Sequence, residues 1–254
     1  MSLAPSYAVL CAVQAAIVAL PQRPTDRGRL GWLGILLPAL ALGIGIGVLR
    51  GFSGGPHALA LLGAVATPAL AAAGPRRAPV AAALWVVAWL AHGLVAEAAA
   101  VALIAMAALR VASLARAVAP AWSLELGLVA LVVLDVVLVW GTPQVQPAST
   151  ALHSAALPAA AGHPIPRLQD ATFGDATMGW LDLLAPALLG AVVTRGRLRA
   201  AGATGLAAGA WGLLLFVTAE VAATVPVLVG LVVARTARST SKTRLSTAAT
   251  SYRT

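Results

Sequence analysis

Five carboxylates stand inside or at the ends of long apolar runs in this chain: Glu97, Glu125, Asp135, Asp182 and Glu220. An ionisable side chain in hydrocarbon costs several kcal/mol, so such residues are few and each asks for a reason. Glu97 and Glu220 fall at predicted helix ends, and Glu125 lies close to the end of its span. A snorkelling or capping carboxylate is cheap at such places. Asp135 and Asp182 differ. Asp135 lies in LVVLDVVLVWG, about five to eight residues before the end of one predicted span, and Asp182 lies about five residues into the next. At about 1.5 Å of rise per residue, both come roughly 8–12 Å below the same surface.

Two carboxyls a few ångströms apart in a low-dielectric site cannot both ionise, so they share one proton. The ionised partner can deprotonate a water while the protonated one donates to a scissile carbonyl. That arrangement hydrolyses peptides without metal or cofactor, provided that a water-filled cavity reaches it. The same aspartates would also serve as a proton relay or cation site in a transporter. No metal is assigned: His57, His92, His153 and His163 never pair at ligand spacing on one helix, and the single Cys11 excludes an intrachain disulfide and a Cys-based zinc site.

The elements that must position these residues follow from composition. Of 254 residues, 60% are hydrophobic and only 10% charged, against about a quarter charged in a soluble domain. Lipid is the expected solvent. Apolar runs bounded by Pro, Gly and Arg predict nine helices, near 3–20, 30–49, 57–73, 79–95, 98–114, 123–141, 178–194, 198–216 and 220–234. Within 78–118 only His92 and Glu97 mark a turn. The expected fold class is therefore an all-α, polytopic membrane protein. The first run lacks a basic leader, and Leu10 precedes Cys11 where a lipoprotein signal wants a small residue, so 3–20 reads as the first span rather than a cleaved signal.

The net charge of +9 marks topology rather than nucleic acid, because the basic residues cluster in short loops and form no stripe. Arg23, Arg27 and Arg29, then Arg76 and Arg77, Arg110 and Arg116, and Arg195, Arg197 and Arg199 occupy alternate connections. Arg235, Arg238, Lys242, Arg244 and Arg253 follow the last span, and only Arg50 and Arg167 stand opposite. The positive-inside rule then puts the N-terminus outside and the C-terminus in the cytoplasm. Trp32, Trp122, Trp140 and Trp180 fall near span ends, as interfacial anchors do. Sixteen of the seventeen basic residues are Arg, and alanine abounds, which points to GC-rich bacterial coding and hence a bacterial plasma membrane. Residues 142–177 form one long connection outside, and 235–254 a polar, Ser/Thr/Arg-rich tail expected to be disordered.

At these residues the chain resembles a family. Met178-Gly179-Trp180-Leu181-Asp182, with Pro186 four residues further on, is similar to the GxGD helix of presenilins and signal peptide peptidases. Leu134-Asp135, running to Trp140 and Gly141, resembles the family's YD helix. Thr224-Val225-Pro226-Val227-Leu228 resembles its PAL motif, with Val for Ala. The resemblance covers about 123–234, in the family's order and with its number of helices. It implies an intramembrane aspartyl protease, with helices one to five in 1–118 and the catalytic-type helices six to nine in 119–234. Asp135 and Asp182 would be catalytic, and Gly179, Leu181, Pro226, Val227 and Leu228 would shape the substrate cleft. The partners implied are single-span membrane helices or signal-peptide remnants, within the bilayer. The orientation matches the signal peptide peptidase branch.

Two positions depart from the family: Leu134 replaces the tyrosine, and Leu181 replaces the second glycine. Leu181 would narrow the cleft, alter substrate choice or mark an inactive scaffold, since a glycine there lets backbone approach closely. A second alignment takes Gly174-Asp175 as the GD pair, but Asp175 precedes polar residues rather than an apolar span. Pro186 and Pro226 are each expected to free a backbone carbonyl near the aspartates. A prepilin-peptidase relationship fits less well, because its site faces the cytoplasm.

Overall fold

In an apolar surrounding the backbone must satisfy its own N–H and C=O groups, and the helix does so within one segment. The computed structural model, which describes residues 2–22, 28–51, 55–141, 170–218 and 221–237, is accordingly built mostly of helices. They are α1 (Leu3–Ala19), a 3-10 turn at Gly31–Ile35 leading into α2 (Leu36–Gly51), α3 (Gly55–Ala71), α4 (Ala78–Leu90), α5 (Leu94–Val118), α6 (Ala121–Gly141), α7 (Trp180–Val192), α8 (Arg197–Gly212) and α9 (Val225–Ala237). Among the described residues, three helices are long and apolar enough to cross a membrane: Leu94–Val118, Ala121–Gly141 and Arg197–Leu215, the last extended by a 3-10 turn. The remaining helices are apolar but shorter, at 10–17 residues.

Helix α7 is the axis of the packing. From Leu183 to Val192 every residue is buried, with α1, α5 and α6 packed around it. Gly190 permits the approach of α1: a Cβ there would lie 3.2 Å from the carbonyl oxygens of Ile17 and Val18. Helix α8 packs along α1, with Gly205 against Ala15 and Gly212 against Tyr7, and α3 and α4 pack on α5. Large apolar side chains such as Ile44, Leu62, Val65, Leu90 and Leu206 are left on the outside, a surface better suited to lipid than to water.

The all-helical expectation needs one correction. Residues 170–179, expected to be loop and helix start, form an antiparallel hairpin of β1 (Asp170–Phe173) and β2 (Ala176–Gly179), in register Ala171 to Met178 and Phe173 to Ala176. Gly174 has φ +56 at the first position of the two-residue loop, the pattern of the hairpin turn that needs glycine there. Ala171, Phe173, Ala176 and Met178 turn one face into the core, while the Thr172 and Thr177 hydroxyls pair at 3.1 Å on the other. The turn is held at two points. Glu97 Oε2 accepts the Gly174 N–H at 2.6 Å, and Ser6 Oγ accepts the Asp175 N–H at 3.2 Å. Glu97 thus lies in the first turn of α5 as a clamp on the hairpin, a role beyond capping.

Several boundaries differ for local reasons. The break in 78–118 falls at Ala91–Gly93, where Gly93 has φ +62, so α4 ends early and α5 runs for 25 residues. Helix α9 begins at Val225 rather than 220 and continues to Ala237, past the expected end of the bundle at 234. Glu125 does not merely snorkel: its Oε2 binds Arg235 at 2.9 and 3.2 Å, joining α6 to the end of α9. Glu220, most of the 142–177 connection and the tail from 238 lie outside the described residues.

Candidate active site

Asp135 is carried near the C-terminal end of α6 and is partly buried. Its Oδ2 accepts a 2.7 Å hydrogen bond from the Thr224 hydroxyl and a longer one, 3.4 Å, from the Thr224 N–H. Thr224 immediately precedes α9, so the carboxylate of α6 lies at a helix N-terminus, where unpaired N–H groups and the helix dipole favour negative charge. The turn before α9 is itself fixed. The Ala222 carbonyl accepts from the Val225 N–H at 3.2 Å and from the Trp211 indole at 3.1 Å. Pro226 is the second residue of α9, where a missing N–H costs nothing. The expectation that it frees a helical carbonyl is therefore corrected.

Asp182 lies in the first turn of α7, not five residues in, because β2 occupies the residues up to Gly179. Its Oδ2 accepts the Gly179 N–H at 2.9 Å, so it reaches back to the N-cap as the acidic member of a capping box does. The main-chain carbonyl of Asp182 accepts a 2.9 Å bond from Nε2 of Gln14, which comes from α1 and also faces Met178 Sδ at 3.5 Å. Gln14 is buried, at 1% exposure.

Asp135 is near enough to Asp182 to act on it electrostatically. Tyr7 and Cys11 lie one turn apart on α1, on the same helix face as Gln14. Both aspartates are only partly buried. α6 and the N-terminus of α9 therefore meet at Asp135, and α7 and α1 meet at Asp182, with α6 packed on α7. No family model, curated protein or solved structure matches the chain.

The other residues singled out in the sequence are placed as follows. Gly179 is the N-cap of α7 and is exposed. Leu181 is buried, at 8% exposure, in the main core rather than standing free beside Asp182. Pro226 and Val227 are buried and Leu228 packs against the same core, so the 224–228 segment braces Asp135 from within the bundle. Asp175 is exposed in the hairpin turn, its N–H held by Ser6 of α1, and belongs to no helix.

Sequence reasoning missed the contribution of α1. Tyr7, Cys11 and Gln14 are spaced four and three residues apart, which puts them on one helix face, and Gln14 is an uncharged amide in an otherwise apolar run. That spacing was the available signal. Thr224 was visible as part of a motif, but its bond to Asp135 depends on where α9 starts.

Proposed function

We propose that this chain is an intramembrane aspartyl protease with a presenilin-like arrangement of nine spans, in which Asp135 and Asp182 alternate as general base and general acid. The supporting observation is convergence. Asp135 and Asp182 stand on α6 and α7, which pack against each other, and the 224–228 segment reaches the first of them by donating Thr224 Oγ1–H to Asp135. Two stretches far apart in sequence meet at Asp135, and the helix that carries Asp182 packs on one of them.

In the reaction the ionised carboxylate takes a proton from water as its oxygen adds to the scissile carbonyl carbon. The protonated partner gives its proton to the carbonyl oxygen. Collapse of the resulting diol breaks the C–N bond, and a proton passes to the leaving amine. A helical substrate hides its carbonyls in its own hydrogen bonds, so it must unwind to react. The hairpin is a suitable holder, since β2 leads directly into Gly179 and Asp182, and an extended peptide can add to a strand edge. Gly179, exposed beside Asp182, leaves room for that peptide.

Helices of 10–17 residues can serve as spans where neighbours bury their ends or the bilayer thins. The N-terminus is outside and the C-terminus cytoplasmic in a bacterial plasma membrane. A reporter active only in the cytoplasm should give signal when fused after residue 237 and none when fused within 145–165; the reverse pattern overturns the orientation.

A second reading rests on one contact. The bond from Gly179 N–H to Asp182 Oδ2 is a helix cap, which a catalytically inactive scaffold would also need. The same aspartates in a proton relay would work only with a gradient. Purified protein in detergent, where no gradient exists, distinguishes these readings. Cutting of a type II single-span peptide supports the protease, and a folded protein inert over a broad peptide panel overturns it.

A further inference from the structure

The residue four positions after Asp182 is Pro186, inside α7. Proline has no N–H, and in a helix the group it leaves unserved is the carbonyl four residues back. That carbonyl is Asp182's own. A carbonyl without a donor is costly away from water, and Pro186 cannot supply the usual one. The donor comes from α1: Gln14 Nε2 lies 2.9 Å from the Asp182 oxygen. The amide orientation follows from its surroundings, because both groups facing Nε2, the Asp182 carbonyl and Met178 Sδ, are acceptors.

The rest of α1 is arranged to keep Gln14 there. Below it the carbonyls of Ile17 and Val18 press against Gly190. Beyond the helix end, Gln22 Nε2 donates to the Ala187 carbonyl at 2.9 Å. α1 and the residues just after it therefore track α7, with Gln14 at the Asp182 carbonyl and Gln22 at the Ala187 carbonyl, on either side of the proline. The Asp182 carboxyl projects from the main-chain position that this contact fixes.

We propose that Gln14 is a positioning residue for the aspartate pair: by supplying to the Asp182 carbonyl the hydrogen bond that Pro186 withholds, it sets from α1 where the Asp182 carboxyl stands. The proposal rests on the protease reading for its effect on rate, but the Gln14–Pro186 link can be tested apart from activity.

The experiment is a double-mutant cycle on the full chain, with wild type, Gln14→Leu, Pro186→Ala and the double variant. Each is measured for kcat and KM on a single-span peptide and for thermal unfolding in the same detergent. Gln14→Leu should lower kcat about ten- to a hundredfold with KM within about twofold, as expected when a reacting group is misplaced rather than substrate binding lost. Pro186→Ala restores the main-chain donor, so in that background Gln14→Leu should have little effect on kcat. An equal loss in both backgrounds overturns the proposal, as does a Gln14→Leu effect confined to KM. If wild type cuts nothing, the protease reading fails, and the unfolding midpoints decide the link. A midpoint drop on Gln14→Leu that disappears with Pro186→Ala retains Gln14 as the donor to Asp182, and an equal drop in both backgrounds removes it.

Discussion

Thr224 Oγ1 lies 2.7 Å from Asp135 Oδ2, so the residue that opens α9 holds the carboxylate of α6. A hydrogen bond to a charged group contributes about 1.5–3 kcal/mol, and this one also sets the direction in which the carboxyl points. Thr224→Val keeps the shape and removes the hydroxyl. It should lower kcat about ten- to a hundredfold, whereas Thr224→Ser should stay within about threefold of wild type. Equal kcat values in steady-state peptide cleavage for wild type and Thr224→Val would remove Thr224 from the site.

Leu181 stands where the proposed relationship would have a glycine, yet its side chain is packed in the core. Leu181→Gly therefore opens a cavity as well as weakening the helix. Thermal or denaturant unfolding should show a loss of about 3–5 kcal/mol, well above the propensity cost of about 1 kcal/mol alone. A loss near the smaller figure would mean that Leu181 fills no space and only narrows the approach to Asp182.

Glu125 and Arg235 join α6 to the end of α9, with the Glu125 side chain 9% and the Arg235 side chain 52% exposed. Because the arginine is half in solvent, screening reduces the value of the pair. Arg235→Ala should lower stability by about 1–2 kcal/mol, since it takes the charged partner from a buried carboxylate. Glu125→Gln, which removes the buried charge itself, should cost less. Unfolding midpoints in the same detergent check the order, and Glu125→Gln costing more than Arg235→Ala would contradict it.

Much of the frame was legible because helices in an apolar chain are bounded by residues with a mechanical role. The arginines around 195–199 mark the junction of α7 and α8 closely, whereas Arg110 and Arg116, expected in the connection after the fifth predicted span, lie inside α5. The hairpin was legible too. Thr172-Phe173 and Ala176-Thr177 flank Gly174-Asp175, a two-residue glycine loop between β-branched and aromatic residues, but Gly174-Asp175 was weighed only as a catalytic pair. Gly93 was passed over beside His92 and Glu97, although its positive φ makes the break. Asp182 is the third residue of α7 rather than about the fifth, since a strand up to Gly179 shortens the helix that follows.

Within the site, residue types and order suggested the two aspartates and the 224–228 segment. What could not be read was the cross-chain pairing. The bond from Gln14 to Asp182 joins residues 168 positions apart, and the ion pair of Glu125 with Arg235 joins residues 110 apart. Both depend on which helices become neighbours, and hydrophobic periodicity is silent on that when a helix is apolar all round.

The central claim is that Asp135 and Asp182 work as one unit on a peptide bond, and the most direct measurement is cleavage of a single-span peptide by four purified proteins. These are wild type, Asp135→Asn, Asp182→Asn and the double variant, each shown to be folded by its unfolding midpoint. Asparagine keeps the volume and hydrogen-bonding shape but neither gives nor takes the shared proton. Wild type should cut, each single variant should lose activity to background, and the double variant should be no worse than either one, as holds for residues that act together. Cleavage by either single variant at the wild-type rate, or a folded wild type that cuts no peptide of the panel, would contradict the account.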